Sequence, residues 1–227
     1  MDGENIGDVR EGFAIEPAVI SPGECDTLAD TISSSFESRR AGIRHLMQDE
    51  SVRTIASDDR LLAIAKRFLG SVAVPYRATL FEKSGRANWL VVWHQDTALP
   101  LERRFSSPNW GPWSTKESIN YAHAPSSALE RVIALRLHLD ASSSSNGPLR
   151  VIPGSHLMGV LDDGAVFDHA RKNESVECTV PIGGVIAMRP LIIHASSKAK
   201  VDAPRRVLHI EYADTLEFGD NIRLTIA

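Results

Sequence analysis

From Val72 onward the apolar residues fall into short β-branched runs cut by turn signals, a pattern that constrains the fold more than any other in the chain. The runs are Val72 to Phe81, Leu90 to Trp93, Val132 to Leu139, Leu149 to Ile152, Val176 to Val180, Val185 to Met188, Leu191 to Ile193 and Val207 to Tyr212. They match the strand count of a jelly roll, a closed sandwich or barrel of short antiparallel strands. The run through Val132 adds direction: Ile133, Leu135, Leu137 and Leu139 share one face of a strand, whereas Arg136 and His138 share the other. That polar face meets either water or a polar interior.

Ahead of the strands the pattern is helical. After a short strand at Gly12-Phe13-Ala14-Ile15, Ser21-Pro22-Gly23-Glu24 forms a capping box with proline at the first helical position, predicting a helix to about Ser35. A second helix starts near Ser57-Asp58, carries Leu61, Leu62, Ile64, Ala65 and Phe68 on one face and closes at Gly70. No linker divides the chain, since its longest polar run is only Ser142 to Asn146. The expectation is therefore one domain over 1–227, helical to about 70 and jelly-roll from about 71 to 214.

Charge and cysteine content narrow the function. A net charge of -4 argues against nucleic acid, which demands a basic face, and favours a small-molecule partner. No apolar run is long enough to span a bilayer, and Met1-Asp2-Gly3-Glu4-Asn5 lacks the basic start of a secretory signal, so a cytoplasmic protein is expected. Cys25 and Cys178 lie far apart, without metal-site spacing, and read as buried thiols. The stretch from Asp96 to Arg131 shows little periodicity; loops of such length are commonly lids, with an irregular packed flap as the alternative for Trp110 and Trp113.

A non-haem iron site needs two imidazoles and one carboxylate on one side of the metal. In His94-Gln95-Asp96 the first and third side chains point the same way, roughly 7 Å apart along an extended backbone, so both reach one ion. Spacing alone does not choose this pair, because His138-Leu139-Asp140 repeats it. His123, His156, His169, His194 and His209 all lie downstream of the pair as candidate third ligands, and His194 is favoured by the strand and turn leading to it. Beyond it, Arg205 and Arg206 face opposite ways on a strand, so one points inward, where its planar fork suits a carboxylate.

Three blocks resemble the phytanoyl-CoA dioxygenase family of iron(II)/2-oxoglutarate oxygenases. They are Trp93-His94-Gln95-Asp96, Asn146-Gly147-Pro148-Leu149-Arg150-Val151-Ile152-Pro153-Gly154-Ser155-His156, and Arg189-Pro190-Leu191-Ile192-Ile193-His194-Ala195-Ser196 with the basic strand after it. The resemblance covers about 75–214 and implies a double-stranded β-helix with N-terminal flanking helices. It also implies iron(II) on His94, Asp96 and His194, and 2-oxoglutarate and O2 as cosubstrates. Arg205, eleven residues past His194, becomes the carboxylate-binding arginine, and His156 becomes structural. The implied reaction is hydroxylation of an unactivated C–H bond of a small metabolite with release of succinate and CO2; a carboxylate at Asp96 disfavours halogenation. Arg136 and Asn88 are expected near the 2-oxoglutarate, and Trp110, Trp113, Lys116 and Tyr121 near the substrate. The competing readings are a cupin-like hydrolase or isomerase on zinc or manganese, and a non-catalytic jelly-roll binding module.

Overall fold

A computed structural model describes residues 6–35, 42–83 and 88–227; the pentapeptide Met1 to Asn5, read above for a secretory signal, lies outside them. In chain order the elements are β1 (Phe13–Glu16), α1 (Pro22–Ser35), β2 (Gly42–Ile43), α2 (Glu50–Ala56), α3 (Asp59–Leu69), β3 (Val74–Lys83), β4 (Val91–His94) and β5 (Ala98–Leu101). There follow β6 (Trp113–Lys116), β7 (Ile119–His123), α4 (Ser126–Leu129), β8 (Val132–His138), β9 (Leu149–Val151), α5 (Asp163–Lys172), β10 (Val176–Cys178), β11 (Val185–Met188), β12 (His194–Ser196) and β13 (Arg205–Ala213). A six-stranded sheet in the order β1-β11-β8-β13-β3-β2 faces a four-stranded sheet in the order β10-β9-β12-β4, and every named pairing is antiparallel. This is the mainly β, jelly-roll architecture expected from the strand pattern.

Helices α1, α2 and α3 cover the outer face of the larger sheet. Ser21 caps α1 as the sequence predicts: its backbone N–H donates to the Glu24 carboxylate at 2.9 Å and its hydroxyl accepts from the Glu24 N–H at 3.3 Å. Asp58 caps α3, whose Leu61, Ile64, Ala65 and Phe68 are buried against Leu135, Leu137, Leu208 and Ile210 of the sheet. Each of the larger side chains among them contributes roughly 1.5–3 kcal/mol on leaving water, before chain entropy is counted. The inner space between the sheets is divided. Phe13, Ile15, Ile186, Met188, Leu149 and Val151 make one part apolar, whereas Arg77, Thr79, Lys83, Arg136, Arg205 and His209 line the other.

Two expectations need correction, and a third difference concerns helices that the sequence does not announce. Residues 97–130 are not a structureless lid: β5, β7 and β6 form a third sheet, in that order, continued by α4. Its β6–β7 turn is made by Glu117 and Ser118 at φ 48° and 71°, so the glycine or asparagine that usually announces such a hairpin is missing. Trp110 and Trp113 pack edge-on against Phe105, 5.6 and 5.1 Å between ring centres, in the cluster beneath this sheet. Secondly, Leu191 to Ile193 is a buried turn rather than a strand, the strand beginning only at His194. A short apolar run records burial, and here burial comes without ladder pairing. Thirdly, α2 and α5 had no strong sequence signal; α2 is a single short helix of seven residues capped by Asp49. No helix of the described residues is long and apolar enough to cross a membrane.

Arg136 and His138 lie on the inner face of β8, both buried, which decides for the polar interior. Burial first, then the charges of Arg136 and Arg205, pushes the His138 imidazole down from 6.5 to about 3. The unfolded chain therefore takes up a proton near pH 6.5 that the native state refuses until about pH 3, and stability falls as pH drops through that window. His138 is expected to account for about 2 kcal/mol of the stability lost between pH 7 and pH 5. Urea unfolding at the two pH values should show a smaller loss in His138→Gln; an unchanged loss contradicts a buried neutral imidazole.

Candidate active site

Strand register builds the centre of the site. β12 pairs with β4 so that His194 lies opposite His94, and the two imidazole centres are 4.1 Å apart. Asp96 follows just past the end of β4, where its N–H donates to the Pro190 carbonyl at 2.9 Å. Its carboxylate oxygens stand 3.7 Å from His94 Nε2 and 3.5 Å from His194 Nε2. One ligand atom from each residue lies within 4.8 Å of the others, and among the described residues no other group of three such side chains converges this way. His94 Nδ1 lies 2.8 Å from the Val92 carbonyl and His194 Nδ1 2.9 Å from that of Ile192. A carbonyl only accepts, so both Nδ1 atoms carry the proton and both Nε2 lone pairs are free. The donor set fits a divalent iron with positions left open.

The ionic states suit this arrangement. Burial raises the Asp96 pKa, but the adjoining His194 and His94 outweigh it and hold the carboxyl well below the usual range. Burial pushes His194 down to about 4, leaving it a neutral donor at physiological pH.

The neighbouring sequence blocks hold this centre in place. Ser155 donates its hydroxyl to the Ile152 carbonyl at 2.7 Å and accepts the Ile193 N–H at 2.8 Å, tying the Pro-Gly-Ser-His block to the residue before His194. Gln95, between two ligands, donates to the Leu191 and Gly159 carbonyls at 2.7 and 2.9 Å and accepts from Leu161 N–H at 2.9 Å. Gly147, at φ +71°, lets its backbone pass so close to Ser197 that a Cβ there would stand 2.3 Å from the Ser197 carbonyl oxygen.

The triad opens into a cavity of about 160 Å³ between the two sheets, well below the roughly 300–1,000 Å³ of a drug-sized pocket. Arg205, Arg136 and Lys83 line it. Among the described residues Arg205 makes no hydrogen bond or ion pair, although it is only 4% exposed and its Nε is fully buried. Burial, then the repulsion of Arg136, lowers it to about 10. Arg136 touches His209 Nδ1 through one nitrogen at 3.1 Å, while its Nε also lacks a partner. Lys83 donates to Ser196 Oγ and the Ser197 carbonyl at 2.8 and 2.7 Å, and burial followed by the two arginines lowers it to about 8. Buried cations without counter-ions are costly, so this end of the cavity is built for an anion.

Arg206 is spent elsewhere, in a two-pronged pair with Asp140 at 2.8 Å on each prong, which also removes Asp140 from any site with His138. Asn88 does not line the cavity: both ends of its carboxamide bond the Ala199 backbone, at 2.8 and 2.7 Å, so its visible work is to hold the loop after β12. Sequence reasoning missed Lys83 and the buried pair Arg77–Glu211. The available signal was the period-two set Arg77, Thr79 and Lys83, which shares one face of β3 with Phe81. A wider groove of about 770 Å³ between α1 and α2 holds no comparable cation, its Glu24 and Asp58 being paired with Arg60.

Fold and centre together define a double-stranded β-helix with a two-histidine, one-carboxylate candidate metal site. The chain belongs to the phytanoyl-CoA dioxygenase (PhyH) family, whose profile it matches over residues 9–207. It is 25% identical to the L-proline trans-4-hydroxylase of Streptomyces griseoviridis over 190 residues, which covers 72% of this chain and 63% of that protein's length. Among solved structures, AviO1 from Streptomyces viridochromogenes Tue57 superposes with a TM-score of 0.65 at 23% identity, over 90% of each chain. EctD from S. alaskensis, solved with 2-oxoglutarate and 5-hydroxyectoine, gives 0.67 at 20% identity, over 90% of this chain and 72% of the other.

Replacing Ser155 with alanine leaves the buried Ile193 N–H without an acceptor, so a stability loss of about 1–3 kcal/mol is expected in urea unfolding. A loss under about 0.5 kcal/mol would show that the Ser155 hydroxyl does not hold the turn before His194.

Proposed function

We propose that the protein is an iron(II)- and 2-oxoglutarate-dependent dioxygenase that hydroxylates an unactivated C–H bond of a small metabolite. The observation that carries this reading is the pairing, in one cavity, of the His94–Asp96–His194 centre with the buried, unpaired Arg205. In this proposal His94 and His194 hold iron(II) through Nε2 and Asp96 through its carboxylate. Arg205 takes the distal carboxylate of 2-oxoglutarate, with Lys83 and Arg136 adding positive charge on the same wall. When bound, iron and cosubstrate supply the oxidising chemistry, consuming O2 and converting 2-oxoglutarate to succinate and CO2.

What the chain contributes is placement and environment. The Val92 and Ile192 carbonyls fix which nitrogen each histidine offers. The depressed pKa of Asp96 keeps it a carboxylate at any working pH. Trp89, Phe81 and Leu149 among the lining residues limit water around the reacting groups. A zinc- or manganese-dependent hydrolase would use the same triad, but it gives Arg205 nothing to bind. The kinship with a proline hydroxylase supports a small-molecule substrate.

Succinate formation from 2-oxoglutarate should require both iron(II) and O2, and Asp96→Ala should reduce it at least 100-fold. Turnover with zinc in the absence of O2 would replace this reading with the hydrolytic one. Removing one partner of a buried charge pair costs about 2 kcal/mol or more, so Arg205→Ala should raise the calorimetric Kd for 2-oxoglutarate about 30-fold or more. Arg206→Ala should change it less than about twofold, since that guanidinium is held by Asp140; the reverse order would mean that Arg206 is the cosubstrate arginine.

A further inference from the structure

The cavity has two ends, and β13 measures the distance between them. Arg205 pairs in register with Lys83, and Glu211 with Arg77, six residues further along the strand and thus roughly 20 Å away. The Arg205 end carries the unpaired cations described above. At the other end Arg77 lines the cavity, and its guanidinium is occupied by the buried Glu211 carboxylate. Arg77 also borders the third sheet, which lies outside the cavity lining, through its 3.4 Å hydrogen bond to the Ala98 carbonyl. Its pairing sets Ser114 opposite Tyr121 and Lys116 opposite Ile119, so Ser114, Lys116, Ile119, Tyr121 and His123 share one face. That face adjoins Arg77, whose guanidinium lies 5.5 Å from the Tyr121 ring centre, and His123 Nδ1 on it is 2.7 Å from the Thr97 hydroxyl.

Resting on the oxygenase reading, we propose that Lys116, exposed beyond the Arg77 end of the cavity, anchors an anionic group, carboxylate or phosphate, of the small substrate. Three observations support it. The Lys116 ammonium sits 4.8 Å from the centre of the same Tyr121 ring and makes no ion pair among the described residues. The carboxylates around it are engaged elsewhere: Asp96 with His94 and His194, Glu211 with Arg77, and Glu117 with His45, whose Nδ1 is 3.3 Å away. The hairpin tip is held in place, since Glu117 and Ser118 both adopt left-handed backbone and the His45 that pairs with Glu117 also reaches the Tyr121 hydroxyl at 2.9 Å. Burial, then the charges of Arg77 and Arg44, depresses the Lys116 ammonium against the opposing pull of Asp96 and Glu211. Lys116 is thus a specificity residue, distinct from the cations of the Arg205 end.

The test is calorimetric, on anaerobic iron(II)-loaded protein with 2-oxoglutarate present, using matched probes. Cyclohexanecarboxylate against cyclohexanecarboxamide is the carboxylate arm, and cyclohexyl phosphate against cyclohexanol the phosphate arm. At least one anion should bind tenfold or more tightly than its uncharged counterpart. Lys116→Met should weaken that anion about tenfold without changing the counterpart, and Lys116→Arg should recover most of the loss. Equal binding of charged and uncharged probes, binding by neither anion, or an anion affinity indifferent to Lys116→Met overturns the proposal. The oxygenase reading fails separately, by absence of 2-oxoglutarate binding before any probe is added; the charged and uncharged probes are then compared on the metal-loaded protein alone.

Discussion

The alignment of β12 against β4 is the constraint on which the site depends. Only that register sets His194 opposite His94, and it is reached through a turn that must bury Leu191, Ile192 and Ile193 without losing their backbone partners. Ser155 and Gln95 answer this need with side chains, taking the Ile193 N–H and the Leu191 carbonyl. A strand slipped by one residue would turn His194 out of the cavity, because side chains alternate between the two faces of a sheet. The apolar part of the sandwich, with Phe13, Ile186 and Val151, is thus as necessary to the metal centre as the ligands themselves.

Electrostatics divides the remaining interior. Asp96 is the carboxylate of the metal end, and Arg205, Arg136 and Lys83 gather where the described residues supply no counter-ion. Such an excess would destabilise a structure that served only to fold. The adjacent Arg206 has the same side chain and opposite circumstances, being outside the cavity and matched to Asp140. Two neighbouring arginines thus divide into one matched to Asp140 and one that lines the cavity without a counter-ion among the described residues.

Much of this was legible in the sequence, for definable reasons. Capping at Ser21 and the apolar face of α3 are local, and both appear where the sequence predicts them. The alternation along β8 correctly separated core from polar residues, whereas strand alternation left Arg205 and Arg206 open and the family resemblance chose between them. Family resemblance, rather than spacing, separated His94–Asp96 from His138–Asp140. Long-range pairing was not legible: the β5–β7–β6 sheet lacks a glycine turn, and the Leu191 to Ile193 turn looks like a strand because both bury apolar side chains. Lys83 escaped notice because a lone lysine at a strand end ordinarily meets water; here it is 1% exposed. Asn88 was placed near the cosubstrate by sequence proximity, yet its carboxamide belongs to the Ala199 loop.

The most direct measurement of the central claim is visible absorption of the anaerobic protein titrated with iron(II) and then 2-oxoglutarate. Chelation of a 2-oxo acid to iron(II) in this triad gives a weak metal-to-ligand charge-transfer band. The account predicts that the band appears at one equivalent of each component and is lost in His94→Ala and in His194→Ala. Iron that binds with no band on addition of 2-oxoglutarate, or a band that persists in both variants, would contradict it.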